Sequence, residues 1–142
     1  MLILKPITNM NNVRLKAYSL TELLIVLVII GILILLALPN LMPLISRAKS
    51  TEAKVQLEHV FTLEKNYFYM YSKYTSGLED IGFEQVKTVK DGGNANYIIE
   101  VVASAQTTFT ARATAITDFD GDGVFNVWEI NQDKELKETI KD

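Results

Sequence analysis

The chain has 142 residues, with 14 basic and 17 acidic side chains for a net charge of −3, and contains no cysteine. That composition excludes a disulfide framework, a thiolate metal centre and a cysteine nucleophile. The acidic balance also argues against a nonspecific nucleic-acid binder, which needs positive surface to neutralise phosphates.

Residues 1–17 form a short basic leader, with Lys5, Arg14 and Lys16 and no acid. Without it the chain keeps 11 basic and 17 acidic residues, a net charge of −6. Residues 18–45 are apolar. From Leu23 to Pro39 no side chain is charged or polar, and Gly31 is the sole interruption of that run of seventeen. With its flanks through Ile45 the run is long enough to span a bilayer, which takes roughly 20 apolar residues. Positive residues just before the span favour a cytoplasmic N-terminus, so the chain after Ile45 is expected outside. An ordinary secretory signal needs a shorter apolar stretch and a small-x-small cleavage site after it. Leu38-Pro39-Asn40-Leu41-Met42-Pro43 offers none.

Residues 46–75 have amphipathic helical spacing. Ala48, Val55, Phe61, Phe68, Met70 and Tyr71 define the expected apolar face, and Arg47, Lys49, Glu52, Lys54, Glu58 and Glu64 much of the rest. Lys54 and Glu58 are spaced to pair at i,i+4. No glycine falls between Asn40 and Ser76, so span and amphipathic segment are expected to form one helix, ended at Gly77. A loop rich in glycine and aspartate leads to two strand-like runs, 95–103 and 107–116, joined by a turn at Ser104, Ala105 and Gln106. Asn131–Lys141 is polar and reads as a short helix or an ordered tail. The expected fold class is α+β: a long N-terminal helix, one half transmembrane and the other amphipathic, packed on a small antiparallel sheet. The expected divisions are 1–17, 18–45, 46–75 and a head of 76–142.

The N-terminal stretch Arg14-Leu15-Lys16-Ala17-Tyr18-Ser19-Leu20-Thr21-Glu22, followed by the apolar run, resembles the class III signal of type IV pilins and pseudopilins. The resemblance covers about the first 70 residues. It implies cleavage by a prepilin peptidase between Ala17 and Tyr18, methylation of the new N-terminus, and a glutamate, Glu22, at the fifth mature position. Alanine stands where the family usually has glycine before the cut, and tyrosine where it has phenylalanine after it. The resemblance also implies that Glu22 of one subunit faces the Tyr18 amine of a neighbour. Such a pair sets register in an apolar bundle, because an unpaired buried charge is costly. Gly31 and Pro39 bracket a stretch weakened by about 1 and 3 kcal/mol respectively. It is either a plain kink or, by the resemblance, a segment that unwinds as the subunit leaves the bilayer.

Near the C-terminus, residues 118–129 match the twelve-residue EF-hand loop for Ca²⁺, a hard cation taking 6–8 oxygens. Asp118, Asp120 and Asp122 supply alternate carboxylates, Gly123 the sharp turn, Val124 a backbone carbonyl, Asn126 a direct or water-mediated ligand, and Glu129 the bidentate closure. Phe125 is expected to point into the core. A strand-like run precedes the loop where an EF-hand has a helix, so the expectation is a Ca²⁺ loop grafted onto the head, ordering the C-terminal segment where a disulfide otherwise could.

The aromatic-rich stretch 66–74 reads as packing on one side and subunit contact on the other. His59, the single histidine, has no ligand neighbours in sequence and is expected to be exposed or interfacial. No nucleophile–base–acid set and no phosphate-cradling loop is present, so catalysis is not expected. The reading is a homo-oligomeric filament subunit that waits in the inner membrane, meets the peptidase and an inner-membrane assembly platform, and ends in an extracellular pilus. Its rivals are a type II secretion pseudopilin in a short periplasmic filament, and an unprocessed single-pass membrane protein with a calcium-binding head. Nucleic acid as a partner is not indicated.

Overall fold

The computed structural model describes residues 18–142. They begin with one helix, α1 (Leu20–Tyr71), of 52 residues. Ser19 caps it: its hydroxyl accepts from the Glu22 N–H at 3.2 Å, and its carbonyl accepts from Glu22 and Leu23. Ser19-x-x-Glu22 is the sequence pattern of a capping box, in which a short hydroxyl satisfies one of the orphan donors of the first turn. The helix ends at Tyr71, before the expected stop at Gly77. The turn is made at Ser72, which adopts the left-handed region with φ 55° and still donates to the Phe68 carbonyl at 2.8 Å.

The described chain divides into two units that meet between Ala37 and Leu38. In the first, every large apolar side chain of α1 is exposed, Leu33 at 60% and Leu35 at 71%. A helix apolar all round has no face to give to water, so its surroundings must be apolar. Pro39 and Pro43 both lie inside α1.

The second unit, Leu38–Asp142, holds the sheet. Its strands are β1 (Tyr97–Ser104), β2 (Phe109–Ala115), β3 (Val127–Asn131) and β4 (Leu136–Ile140). They pair antiparallel in the order β1-β2-β3-β4. The first two strands lie where the β-branched runs predicted them, with the turn closed by the Ala105 N–H on the Thr108 carbonyl at 2.8 Å. The C-terminal segment differs from expectation: residues 127–140 form a hairpin, not a helix or tail. Asn131 makes its turn by accepting the Asp133 and Glu135 N–H groups on one oxygen, each at 3.0 Å, an Asx turn with Lys134 left-handed beyond it. β4 is polar because it is an edge strand, where charge discourages further pairing.

The buried stripe of α1 also differs. Ser46, Ser50, Ala53, Leu57, Val60 and Glu64 face the sheet, at alternating steps of four and three. Val55, expected on the apolar face, is 62% exposed, and Ala48 is exposed too. The face is small rather than greasy. Ala53 shares the core with Ala111, Ala113 and Ala115 of β2. The serines are admitted because each hydroxyl finds an acceptor, Ser50 on the Ser46 carbonyl and Ser46 on the Asp142 backbone oxygen, both at 2.8 Å. Leu57, Val60, Tyr97, Phe109 and Ile130 fill the rest, at about 1.5–3 kcal/mol for each large apolar side chain removed from water.

Loop residues finish the head. Tyr74, Ile81 and Phe83 are buried. The Gln85 amide covers the free edge of β1, accepting from the Ile99 N–H at 2.9 Å and donating to the Tyr97 carbonyl at 3.2 Å. Glu52 ties the loop to the helix by accepting both the backbone and side-chain N–H groups of Asn96, each at 2.8 Å. Lys54 lies over the Trp128 ring at 4.4 Å instead of pairing with Glu58.

Candidate functional site

Two regions carry the residues singled out by sequence. The first is the start of α1. Ala17 lies outside the described residues. Tyr18 is 76% exposed, Glu22 sits exposed in the first turn, and a β-carbon at Gly31 would meet nothing within 4 Å. Gly31 is therefore not required by packing among the described residues. Pro39 lies inside α1, and its missing N–H removes one backbone bond there. The helix is long and apolar enough to cross a membrane.

The second region is the loop between β2 and β3. Asp118, Asp120 and Asp122 come together as expected, and their companion is Asp142: one carboxylate oxygen from each lies within 4.8 Å of the others. Local geometry builds this cluster. Asp118 accepts from the N–H groups of Gly121 and Gly123, each at 2.6 Å, and of Asp120 at 3.3 Å. The reversal needs left-handed backbone at Gly121 and Gly123, φ 86° and 88°. Added β-carbons would meet open space there, so the requirement is conformational rather than steric. Asp142 is brought in by the Phe119 N–H, which donates to its Oδ2 at 2.9 Å; its Oδ1 is buried without a partner.

The electrostatics stem from these contacts. The Gly123 N–H, then those of Gly121 and its neighbours, hold the Asp118 carboxyl below the ordinary carboxylate range against a smaller desolvation penalty. Asp120 accepts from the Asp122 N–H, which favours ionisation, yet desolvation and the charges of Asp122, Asp142 and Asp118 prevail and raise its pKa. Like charges therefore oppose one another in this loop.

Two further residues of the twelve-residue pattern, Asn126 and Glu129, are engaged elsewhere. Asn126 is wholly buried: the Tyr97 hydroxyl donates to its Oδ1 at 2.7 Å, while its Nδ2 donates to Glu138 at 2.7 Å and to the Ile140 carbonyl at 3.1 Å. It joins β1 to β4. Glu129 stands on β3 opposite Arg112 of β2 and pairs with it at 2.7 Å. Val124 donates its N–H to Asp122 at 2.7 Å. Phe125, expected in the core, is 42% exposed; Phe119 is the buried aromatic of the loop and carries Lys49 over its ring at 4.4 Å.

At the end of α1, Phe68 stacks on Tyr74 and Tyr74 meets Phe109, both with ring centroids 4.8 Å apart. Tyr69, Met70 and Tyr71 are exposed. His59 is exposed as expected, beside Phe83.

No family model matches the chain. Over 72 residues it is 39% identical to the type IV major pilin protein PilA of Myxococcus xanthus (strain DK1622), an alignment covering 51% of this chain and 33% of that protein. The chain spans about a third of the length of the curated relative it matches.

Proposed function

We propose that the chain is a structural subunit of the type IV pilin kind, held in a membrane by the first part of α1 and polymerised through that same surface into a pilus. The observation that carries this reading is the wholly exposed apolar stretch of α1 with one carboxylate, Glu22, in its first turn. Lipid solvates such a surface before assembly and copies of the chain solvate it afterwards, each square ångström of apolar surface kept from water contributing about 25 cal/mol. The similarity to a type IV major pilin supports the same reading.

In this proposal a prepilin peptidase cuts between Ala17 and Tyr18, and an inner-membrane assembly platform extracts the subunit. Glu22 then meets the Tyr18 amine of a neighbour. A carboxylate in an apolar bundle is tolerated only with a partner, so the pair fixes the axial register of one subunit on the next. The stretch from Gly31 to Pro39, low in helix propensity, is where α1 gives way on extraction.

The head uses its acidic loop to hold Ca²⁺. The converging carboxylates, their mutual repulsion and the orphaned Oδ1 of Asp142 fit a hard divalent cation. Asp118, Asp120, Asp122 and Asp142 are the proposed ligands, in place of the set closed by Glu129. The cation supplies charge neutralisation and ties the end of the chain to the β2–β3 loop.

The test is filament assembly in cells expressing Glu22→Ala or Glu22→Gln. Long filaments recovered by shearing and seen by electron microscopy are expected from the parent chain and lost in both variants, with the variant chains still in the membrane fraction. Filaments of normal yield from Glu22→Ala would remove the pairing role. Short, cell-bound filaments from the parent chain would turn the reading to a pseudopilin.

A further inference from the structure

We propose that the segment joining α1 to the sheet is a proton-operated strap, closed over Glu64 while that carboxyl is protonated and released when it ionises. This goes beyond the pilin reading and does not depend on it.

The strap is residues 73–80. It starts where Ser72 ends α1 in left-handed backbone, φ 55°, and its far side is pinned by Ile81 and Phe83, both buried. Among the described residues its backbone N–H groups reach the rest of the head twice. Tyr74 donates to the Ala105 carbonyl at 3.4 Å, and Thr75 to Glu64 Oε2 at 3.3 Å. Both bonds are longer than the usual span of about 2.7–3.2 Å. The other backbone bonds close turns within the loop, Asp80 on Gly77 at 3.1 Å and Gly82 on Glu79 at 3.0 Å. What holds the strap is the Tyr74 ring, packed against Phe68 and Phe109. A segment with so few bonds to its surroundings opens locally, before the strands do.

The carboxyl beneath it is poorly served. Glu64 is fully buried, and its Oε1 finds no partner among the described residues. A carboxylate offers about four acceptor sites, and one long bond meets them here. Ionised in place, Glu64 would be a buried and nearly bare charge, far costlier than a neutral carboxyl. Among the described residues no cation pairs with it. Lys65, next along α1, sends its Nζ to the Tyr74 hydroxyl at 3.0 Å. The strand residues that face the core, Phe109, Ala111 and Ile130, are apolar. From the strap comes a like charge, Asp80, whose Oδ2 accepts from Thr75 Oγ1 at 2.8 Å. Burial raises the Glu64 pKa, the Thr75 bond opposes this, and the charge of Asp80 adds to it. Thr75 and Asp80 belong to the most weakly bonded part of these surroundings, so ionisation is relieved by lifting them together and admitting water.

The closed strap holds the Glu64 proton more tightly than the open one. Opening therefore grows as pH rises past the ordinary carboxyl range, by the ratio of the two proton affinities. Lifting residues 73–80 takes Tyr74 off Phe109, beside Tyr69, Met70 and Tyr71, which are exposed already. The end of α1 then presents more aromatic surface in alkaline surroundings than in acid ones.

Hydrogen–deuterium exchange of the full chain in a neutral detergent tests this at pH 4 and pH 8, read by mass spectrometry of peptic fragments with the intrinsic rise of exchange with pH divided out. The parent chain is expected to lose at least about tenfold in protection over residues 74–80 at pH 8, while β2 and β3 keep theirs. Glu64→Gln is expected to hold its protection within about threefold at both pH values. Asp80→Asn removes the like charge and keeps an acceptor for Thr75, so its loss at pH 8 should be smaller than the parent's. A merely structural role for Asp80 predicts an equal or larger loss. Near-ultraviolet circular dichroism checks the fold of each variant, and if Glu64→Gln does not fold, the Asp80→Asn comparison decides. Equal protection of the parent at both pH values, a loss in Glu64→Gln as large as the parent's, an undiminished loss in Asp80→Asn, or parallel loss in β2 and β3 overturns the proposal.

Discussion

Glu64 is a fully buried carboxyl at the C-terminal end of the buried stripe of α1, beside the loop that follows the helix. Its Oε2 accepts one long bond from the Thr75 N–H at 3.3 Å, and its Oε1 has no partner. Burial raises its pKa; the Thr75 bond opposes this, and the charge of Asp80 adds to it. The folded head therefore holds this proton more tightly than the unfolded chain does. Stability from Glu64 is fully present below the unfolded value near 4.5 and is lost as pH rises through the higher folded value. Glu64→Gln keeps the shape and can keep the acceptor for Thr75 while abolishing the ionisation. Leaving a buried polar group unsatisfied costs about 1–3 kcal/mol, and more when it is charged. The variant should therefore gain at least about 1 kcal/mol at pH 8 and close to nothing at pH 4. For a unit of this size each kcal/mol moves Tm by about 4–8 °C. Thermal melts of the full chain in detergent, followed by near-ultraviolet circular dichroism at both pH values, give the comparison. A variant less stable than the parent at pH 8, or a difference that does not depend on pH, would refute the reasoning.

Burial pushes the Tyr97 phenol up to about 12, against an opposing bond to Ser50 and with the charges of Glu52, Asp142 and Glu138 adding to it. Its stabilising effect is present below the ordinary value of 10 and lost as pH rises through about 12. Tyrosinate absorbance should show one phenol titrating that late, absent in Tyr97→Phe, which should also lose about 1–3 kcal/mol because Asn126 Oδ1 loses its donor. Ca²⁺ at about one hundred times its dissociation constant should raise head stability by about 2.7 kcal/mol, and Tb³⁺ in its place should luminesce through Trp128. Asp142→Asn should abolish both responses and Glu129→Gln neither, the pattern reversing if the twelve-residue EF-hand set is the true one.

The N-terminal half of α1 was legible in sequence because hydrophobic length and a lone glutamate are local properties. The strands β1 and β2 were legible because β-branched and aromatic residues mark them. The buried stripe was not. Hydrophobicity pointed to Val55, yet the buried stripe takes Ser46, Ser50 and Glu64, whose polar groups find partners at Asp142, Ser46 and Thr75 that a hydrophobic pattern does not show. β4 was hidden by Lys137, Glu138 and Thr139, which suit an edge and disguise a strand. Asp142 had no signal at all in the acidic motif: twenty residues separate it from Asp122, and the hairpin between β3 and β4 carries it back. The pairing of β3 with β2 places Glu129 opposite Arg112, which no loop template contains. The cap at Ser19 went unread in the sequence, although Ser19-x-x-Glu22 has the spacing of a capping box.

The most direct measurement is the intact mass of the native chain, taken separately from sheared surface material and from the membrane fraction. A filament subunit should appear in the sheared material beginning at a methylated Tyr18, with its uncut form confined to the membrane. Recovery of the chain from membranes alone, still starting at Met1 and never in a polymer, would contradict the idea that copies of itself replace lipid around α1.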